Sequence, residues 1–327
     1  MMENLYIGIE IGATKQQVAL GTADGRLLHT ITGKIPLPRG AQDVLDWLSA
    51  KVPELLRMEE RFCGRVRSLA AGFGGEIESS TGRTLNSVQV PGWEDFPLRG
   101  WLEETFSMPA EVLNDTVAGG FSELYLGRGK EAGTVFYTNI GSGIGGAFFI
   151  DRVYYDGVGY GAAYFGNTYI PDWQSPEPGA MTRVEEICSG LGIERRLRRP
   201  GYVPAGSRIM EMCGGDPAAI SCRMMEDAAR AGDSFALEEV DRIAKSYSIG
   251  LSNVLTLMSP ELVIVGGGVA KMGGLLLDRV REYTDRIAFI SCRGHYTIEQ
   301  SVMMDDAVIA GAVYCAGHPE LIRKGSY

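Results

Sequence analysis

Two glycine-rich corners hold the residues best suited to chemistry in this chain. The first is Glu10-Ile11-Gly12-Ala13-Thr14-Lys15, between the apolar segments 5–9 and 18–20. The second is Asn139-Ile140-Gly141-Ser142-Gly143-Ile144-Gly145-Gly146, between 134–137 and 147–150. At such strand-to-strand corners backbone N–H groups can face a ligand with no side chain in the way. A single corner is ordinarily a hairpin turn. Two of them, with Asn114-Asp115 between, point to a clamp around a polyphosphate. Gly266-Gly267-Gly268 follows the apolar run 262–265 and suits close backbone approach to a nucleotide, or simply a tight strand-to-helix turn.

These corners need strands and helices to hold them. Segments 5–9, 17–22 and 27–32 alternate as strands, and Asp24-Gly25 marks a hairpin between the last two. Apolar residues at helical spacing predict a helix over 42–57. A strand is expected at 66–72, a helix at 97–106 and a strand at 111–113. Asn114 or Asp115 then caps a helix over 117–126. A meander covers 134–155, and 169–183, rich in Pro and Gly, reads as a loop. Helices follow at 218–231, 237–258, 275–287 and 306–317, with a buried strand at 262–265. Both halves open with a strand–glycine corner–strand unit, which suggests duplication of one β-rich module.

Composition narrows the partners. The chain has 327 residues, 45% of them hydrophobic and 22% charged, enough for two globular domains. A net charge of −10 opposes nucleic acid as a partner. The run Arg195-Arg196 with Arg198-Arg199 reads as a solvated helix end. Six cysteines form no CxxC pair, which fits a reduced, cytoplasmic chain. No apolar run approaches the roughly 20 residues that span a bilayer, so no membrane partner is expected. The first strand starts within a few residues, leaving no room for a signal peptide.

The two corners, Asn114-Asp115, Val263–Val269 and the ending Asp305-Asp306-Ala307 through Gly311-Ala312 together resemble the ROK family of sugar kinases. The resemblance spans nearly the whole length. It implies a duplicated actin-like ATPase (ribonuclease H-like, hexokinase-type) α/β fold of two domains with a cleft between them. The smaller would cover 1–116, joined by the C-terminal helix of about 306–327, and the larger 117–305. It implies an ATP-dependent sugar kinase using Mg²⁺, phosphorylating a hexose or modified hexose. Asp115 would be the general base, although capping frequency alone makes it a plain helix cap. Gly12, Ala13, Thr14, Lys15, Gly141, Ser142 and Gly143 would hold phosphates, and Gly266, Gly267 and Gly268 would lie beside the adenosine. Asn114, Asp115, Gly75, Gln89, Tyr164, Asn167 and Glu185 would face the sugar. Glu10, where an Asp is usual, would reach Mg²⁺ directly or through water. Trp93 reads as a packing residue. The family habit of dimers and tetramers makes a homodimer the expectation.

The departures from the family pattern matter as much. Where many members carry one His and three Cys that bind zinc, this chain has Asn167, Pro176, Pro178 and Arg183. None supplies thiolate or imidazole, so zinc is expected to be absent. Tyr164 and Asn167 replace a carboxylate and an imidazole that read sugar hydroxyls, which predicts altered specificity. These changes also motivate an alternative: a catalytically weak or inactive sugar- or nucleotide-binding protein. Repressors of the family carry an N-terminal helix-turn-helix, for which about four residues before the first strand leave no space.

Overall fold

The computed structural model describes residues 3–12, 15–34, 40–58, 64–87 and 90–322. In chain order the elements are β1 (Leu5–Ile11), β2 (Lys15–Thr22), β3 (Leu27–Lys34), α1 (Ala41–Arg57), β4 (Val66–Phe73), β5 (Glu76–Glu78), β6 (Arg83–Asn86), α2 (Leu98–Phe106), β7 (Ala110–Asn114), α3 (Asp115–Tyr125), β8 (Val135–Ile140), β9 (Ile144–Ile150) and β10 (Val153–Tyr154). They continue as β11 (Tyr169–Pro171), β12 (Met181–Arg183), α4 (Val184–Cys188), α5 (Gly190–Leu197), α6 (Arg208–Met212), α7 (Cys222–Arg230), α8 (Ser234–Met258), β13 (Leu262–Gly266), α9 (Gly274–Ile287), β14 (Thr297–Gln300) and α10 (Ala307–Gly317).

Two five-stranded sheets share one plan. Their orders are β3-β2-β1-β4-β7 and β10-β9-β8-β13-β14, so each has a meander on one side and a crossover strand pair on the other. This repeat is what the paired glycine corners predict. The chain divides into two compact units, Met1–Tyr137 with Ala147–Ala163 and Asp305–Tyr327, and Thr138–Gly146 with Tyr164–Met304. The boundary drawn from the sequence at 116/117 falls inside α3, and α10 belongs to the first unit.

In the first unit, period-2 alternation splits each strand between two faces. Ile7, Ile9, Val18, Leu20, Leu69 and Phe73 pack with Val44, Leu48 and Val52 of α1 in one core. Trp93 joins that core, edge-on to Phe73 with centroids 5.1 Å apart, as its packing role requires. Ala19 on the opposite face meets Ile309 and Val313 of α10. That helix also crosses α3 at backbone contact, because a Cβ on Gly311 would stand 1.8 Å from the Ala118 carbonyl oxygen.

The second unit centres on α8, capped by Asp233, whose side chain accepts from the Ala236 N–H. Tyr247 is buried there, edge-on to Phe165 at 5.1 Å, and its hydroxyl lies 3.3 Å from Thr138 Oγ1. Two sequence expectations need correction here. Segment 169–183 is not simply a loop: β11 and β12 pair antiparallel, Tyr169 with Arg183 and Pro171 with Met181, and Pro176, Pro178 and Gly179 lie in the connection. Arg196 is not solvated either. Helical spacing puts it with Ile193 and Leu197 on the buried face of α5, where its Nε lies 2.9 Å from Glu239 Oε2. Among the described residues no helix is long and apolar enough to cross a membrane.

The α10–α3 crossing generates a stability prediction. Gly311→Ala forces a methyl group into a backbone oxygen and is expected to cost about 3 kcal/mol, seen as a lower denaturant midpoint. An unchanged midpoint would show that the crossing is not tight.

Candidate active site

In the first unit, strand register brings three chain corners into one row. Ile11 of β1 pairs with Phe73 of β4, and Phe73 with Asn114 of β7, all parallel. The residues immediately after these ends, Gly12, Gly74 and Asp115, therefore lie side by side at the carboxyl edge of the sheet. In open α/β sheets that edge is where ligands bind. The Gly74 N–H donates to the Ile11 carbonyl at 2.9 Å, tying the first two corners together.

Asp115 is the most chemically pointed residue of this row. The cap of α3 is Asn114, whose Oδ1 accepts from the Thr116 N–H at 2.9 Å and whose Nδ2 donates to the Gly75 carbonyl at 3.0 Å. One Asp115 oxygen, Oδ1, also accepts from Thr116 N and Oγ1, at 2.6 and 3.2 Å. The other, Oδ2, stands 3.4 Å from where a Cβ on Gly74 would be, so the missing side chain leaves that oxygen open. Burial raises the Asp115 pKa to about 6, against the lowering effect of the Thr116 hydrogen bonds.

Glu10, on β1, is the second unusual carboxylate. Burial raises its pKa to about 7. Lys15 opposes the shift, and Asp115 and Asp305 add to it through repulsion. Lys15 Nζ lies 3.2 Å from Glu10 Oε2 and donates to the Asp305 carbonyl at 3.2 Å. Glu10 Oε2 is buried and, apart from that ion pair, meets no hydrogen-bond donor. The first corner itself closes with Gly12 N–H on the Lys15 carbonyl at 3.1 Å. Ala13, Thr14 and Gln89 lie outside the described residues.

The second unit holds the other glycine corner. Gly141 N–H donates to the Gly143 carbonyl at 2.9 Å, and Asn139 Oδ1 accepts from the Gly145 N–H at 3.0 Å. The N-terminus of α5 docks on this corner, with Gly190 N–H 2.8 Å from the Gly141 carbonyl and Leu191 N–H 3.3 Å from that of Ser142. Glu185 Oε2 comes within 3.5 Å of a Cβ position on Gly143. Gly166 packs on Ile144 so closely that a Cβ would meet its carbonyl oxygen at 2.2 Å, which sets Tyr164 and Asn167 near this corner. Gly267 (φ +87°) likewise leaves β13 against Ile140, where a Cβ would stand 2.6 Å from the carbonyl, while Gly268 has open space beside it.

Sequence reasoning missed the role of Arg183. Its Nη1 donates to Asn167 Oδ1 at 3.0 Å and lies 3.2 Å from Glu185 Oε1, and its Nη2 donates to Glu186 at 2.6 Å. One guanidinium thus ties two expected sugar residues. The signal was a cation standing where the family resemblance implies a metal ligand, but only the β11–β12 register shows what it reaches. Among the described residues no cluster of three His, Cys, Asp or Glu is placed to hold a metal ion.

The raised Asp115 pKa has a measurable consequence for stability. A carboxyl that binds its proton more tightly when folded destabilises the fold once ionised, so stability is lost as pH rises from the ordinary 3.8 through about 6. Asp115→Asn is therefore expected to melt above the wild type at pH 8, with the gap closing by about pH 4. A gap independent of pH would contradict the burial.

Comparison with known proteins places this geometry. The ROK family model matches residues 6–318. A glucokinase from Thermotoga maritima is 28% identical over 311 residues, covering 94% of this chain and 95% of that enzyme. A xylose repressor from Caldicellulosiruptor bescii is 22% identical over 309 residues, covering 94% of this chain and 76% of the repressor. A ROK family glucokinase from Streptomyces griseus, solved with glucose and AMPPNP, shares 25% identity and a TM-score of 0.82, covering 96% of this chain and 99% of that one. The doubled sheet is thus the duplicated actin-like α/β fold that the motifs imply. With its glycine corners, its strand-end aspartate and a family match from residue 6 to residue 318, the chain belongs to the ROK family.

Proposed function

We propose that this protein is an ATP-dependent sugar kinase that transfers the γ-phosphoryl group to a hydroxyl of a hexose or modified hexose, with Asp115 as general base. The observation that carries this reading is the state of the Asp115 carboxylate. Its basicity is raised by burial, one oxygen is anchored on Thr116, and the other opens over Gly74 at the strand-end row. A base of pKa about 6 is mostly ionised at neutral pH yet basic enough to accept a hydroxyl proton. The kinship with glucokinases supports the substrate class and ATP.

The remaining residues take roles in each unit. In the first, the corner Gly12-Ala13-Thr14-Lys15, closed by the Gly12 N–H on the Lys15 carbonyl, would bring a hydroxyl and an ammonium to phosphate oxygens, where charge develops in transfer. Asn114 and Gly75 present the turn that meets the sugar, with Gln89 in the same role. In the second, the corner Gly141-Ser142-Gly143, closed by the Gly141 N–H on the Gly143 carbonyl, would offer further donors from Ser142 and Gly143, and Gly266, Gly267 and Gly268 would lie beside the adenosine. Tyr164, Asn167 and Glu185 read sugar hydroxyls, the last two held by Arg183.

The metal expectations divide. The buried Glu10 Oε2, an oxygen donor that has only the Lys15 ammonium beside it, fits a hard cation or its water, so Glu10 would hold Mg²⁺. Bound there, Mg²⁺ would neutralise charge on the phosphoryl oxygens. Asn167, Pro176, Pro178 and Arg183 do not fit zinc, since they offer neither thiolate nor imidazole and one is a cation. A second reading, sugar or nucleotide binding with weak turnover, draws on Glu10: a carboxyl of pKa about 7, already facing Lys15, is only partly ionised at neutral pH.

Three outcomes follow. Asp115→Asn should lower kcat for sugar-dependent ADP release about 10³-fold, and wild-type kcat/KM should fall about tenfold per pH unit below about pH 6. A variant that keeps its kcat, or a profile flat to pH 5, would remove Asp115 as base. Arg183→Ala should raise the KM for sugar while leaving that for ATP unchanged, whereas equal effects on both would mean only a structural role. Elemental analysis of the purified protein should find far less than one zinc per chain, and a stoichiometric zinc would overturn the donor argument.

A further inference from the structure

An open cavity of ≈ 690 Å³ lies within the second unit, between the β11–β12 connection, the segment after α5 and one face of α8. Arg199, Arg242 and Lys245 line it, and no carboxylate does. Two of these cations are already paired: Arg242 with Glu238 and Glu239 at 2.6 and 2.8 Å, and Lys245 with Asp241 at 2.7 Å. The Arg199 guanidinium meets no partner among the described residues. One uncompensated guanidinium, in a recess whose lining holds no carboxylate, favours an anionic group on the ligand.

Further details specify the rest of that ligand. Gln174, also in the lining, has an Oε1 buried without a donor, and a half-turn of its amide would present that oxygen to a ligand hydroxyl or amine. Trp173 beside it is immobilised: its Nε1 donates to Ser246 at 3.1 Å, and the Arg196 and Arg242 guanidinium carbons lie 5.3 and 5.1 Å from its ring. Arg196 is 1% exposed and its Nη2 has no acceptor, a second unmet polar atom next to the indole. Trp173 keeps 38% of its surface exposed and gives the cavity a fixed apolar wall.

We propose that this cavity is a second ligand site that takes a phosphorylated monosaccharide. The phosphate sits on Arg199 and Lys245, a sugar hydroxyl donates to Gln174 Oε1, and the ring lies against Trp173. The binding inference stands on this lining and not on the kinase reading. It connects to that reading because a sugar phosphate is the class of product the proposed reaction releases.

The test is calorimetric titration of the full-length protein with glucose 6-phosphate, with glucose and AMPPNP present in excess, followed in parallel by tryptophan fluorescence. Saturable binding of one ester per chain is expected, with inorganic phosphate clearly weaker. The fluorescence change should vanish in Trp173→Phe. Arg199→Ala combined with Lys245→Ala, both away from the buried ion pair, should weaken binding about tenfold or more. Their sugar-dependent ADP release should be unchanged, and thermal unfolding checks that they fold. Absence of saturable binding to the wild type would overturn the site. Unchanged affinity in the double variant would place the ester elsewhere, in the candidate active site included, and equal binding of inorganic phosphate would overturn the sugar part of the assignment.

Discussion

The candidate chemistry of this protein depends on the register of three parallel strand ends. Because Ile11, Phe73 and Asn114 pair across β1, β4 and β7, the residues after them emerge together at one edge. A slip of one residue in any strand would turn its alternating apolar set to the wrong face, so the two cores on either side of the sheet fix this row. Small residues make the arrangement possible. Gly311 lets α10 touch α3, the helix that Asp115 begins, and Gly74 keeps the space above the Asp115 carboxylate clear.

The same burial that stabilises the sheet works against its carboxylates. Glu10 and Asp115 both hold raised pKa values because they are taken out of water with few donors in return. Such sites weaken the fold and are retained where chemistry needs them. The second unit handles charge differently. Its buried Arg196 pairs through Nε with Glu239 and its Arg183 reaches three acceptors, so these two cations organise backbone and side chains. A guanidinium bridging Asn167 and Glu185 fixes the distance between two chain segments.

Much of the fold was legible because its signals are local. Period-2 runs ending in glycine gave β1, β2, β4 and β8, and helical spacing gave α1, α8 and α9. The hairpin β11–β12, the short helices α4 to α6 and the strands β5, β6 and β14 escaped because three- to eight-residue elements rest on tertiary pairing more than on pattern. At the site, Asp115 was legible as a position, but not its state: that Asn114 takes the capping role and Gly74 leaves Oδ2 open are facts of packing. Arg196 was misread because a run of arginines hides which of them the helix turns inward.

The central claim is phosphoryl transfer to a sugar hydroxyl. ³¹P NMR of the protein with ATP, Mg²⁺ and a panel of hexoses and modified hexoses tests it most directly. The account predicts a new phosphomonoester resonance growing in step with ADP for at least one sugar. ATP that is bound but unchanged with every sugar, or hydrolysed only to inorganic phosphate, would contradict it and leave a binding protein built on a kinase fold.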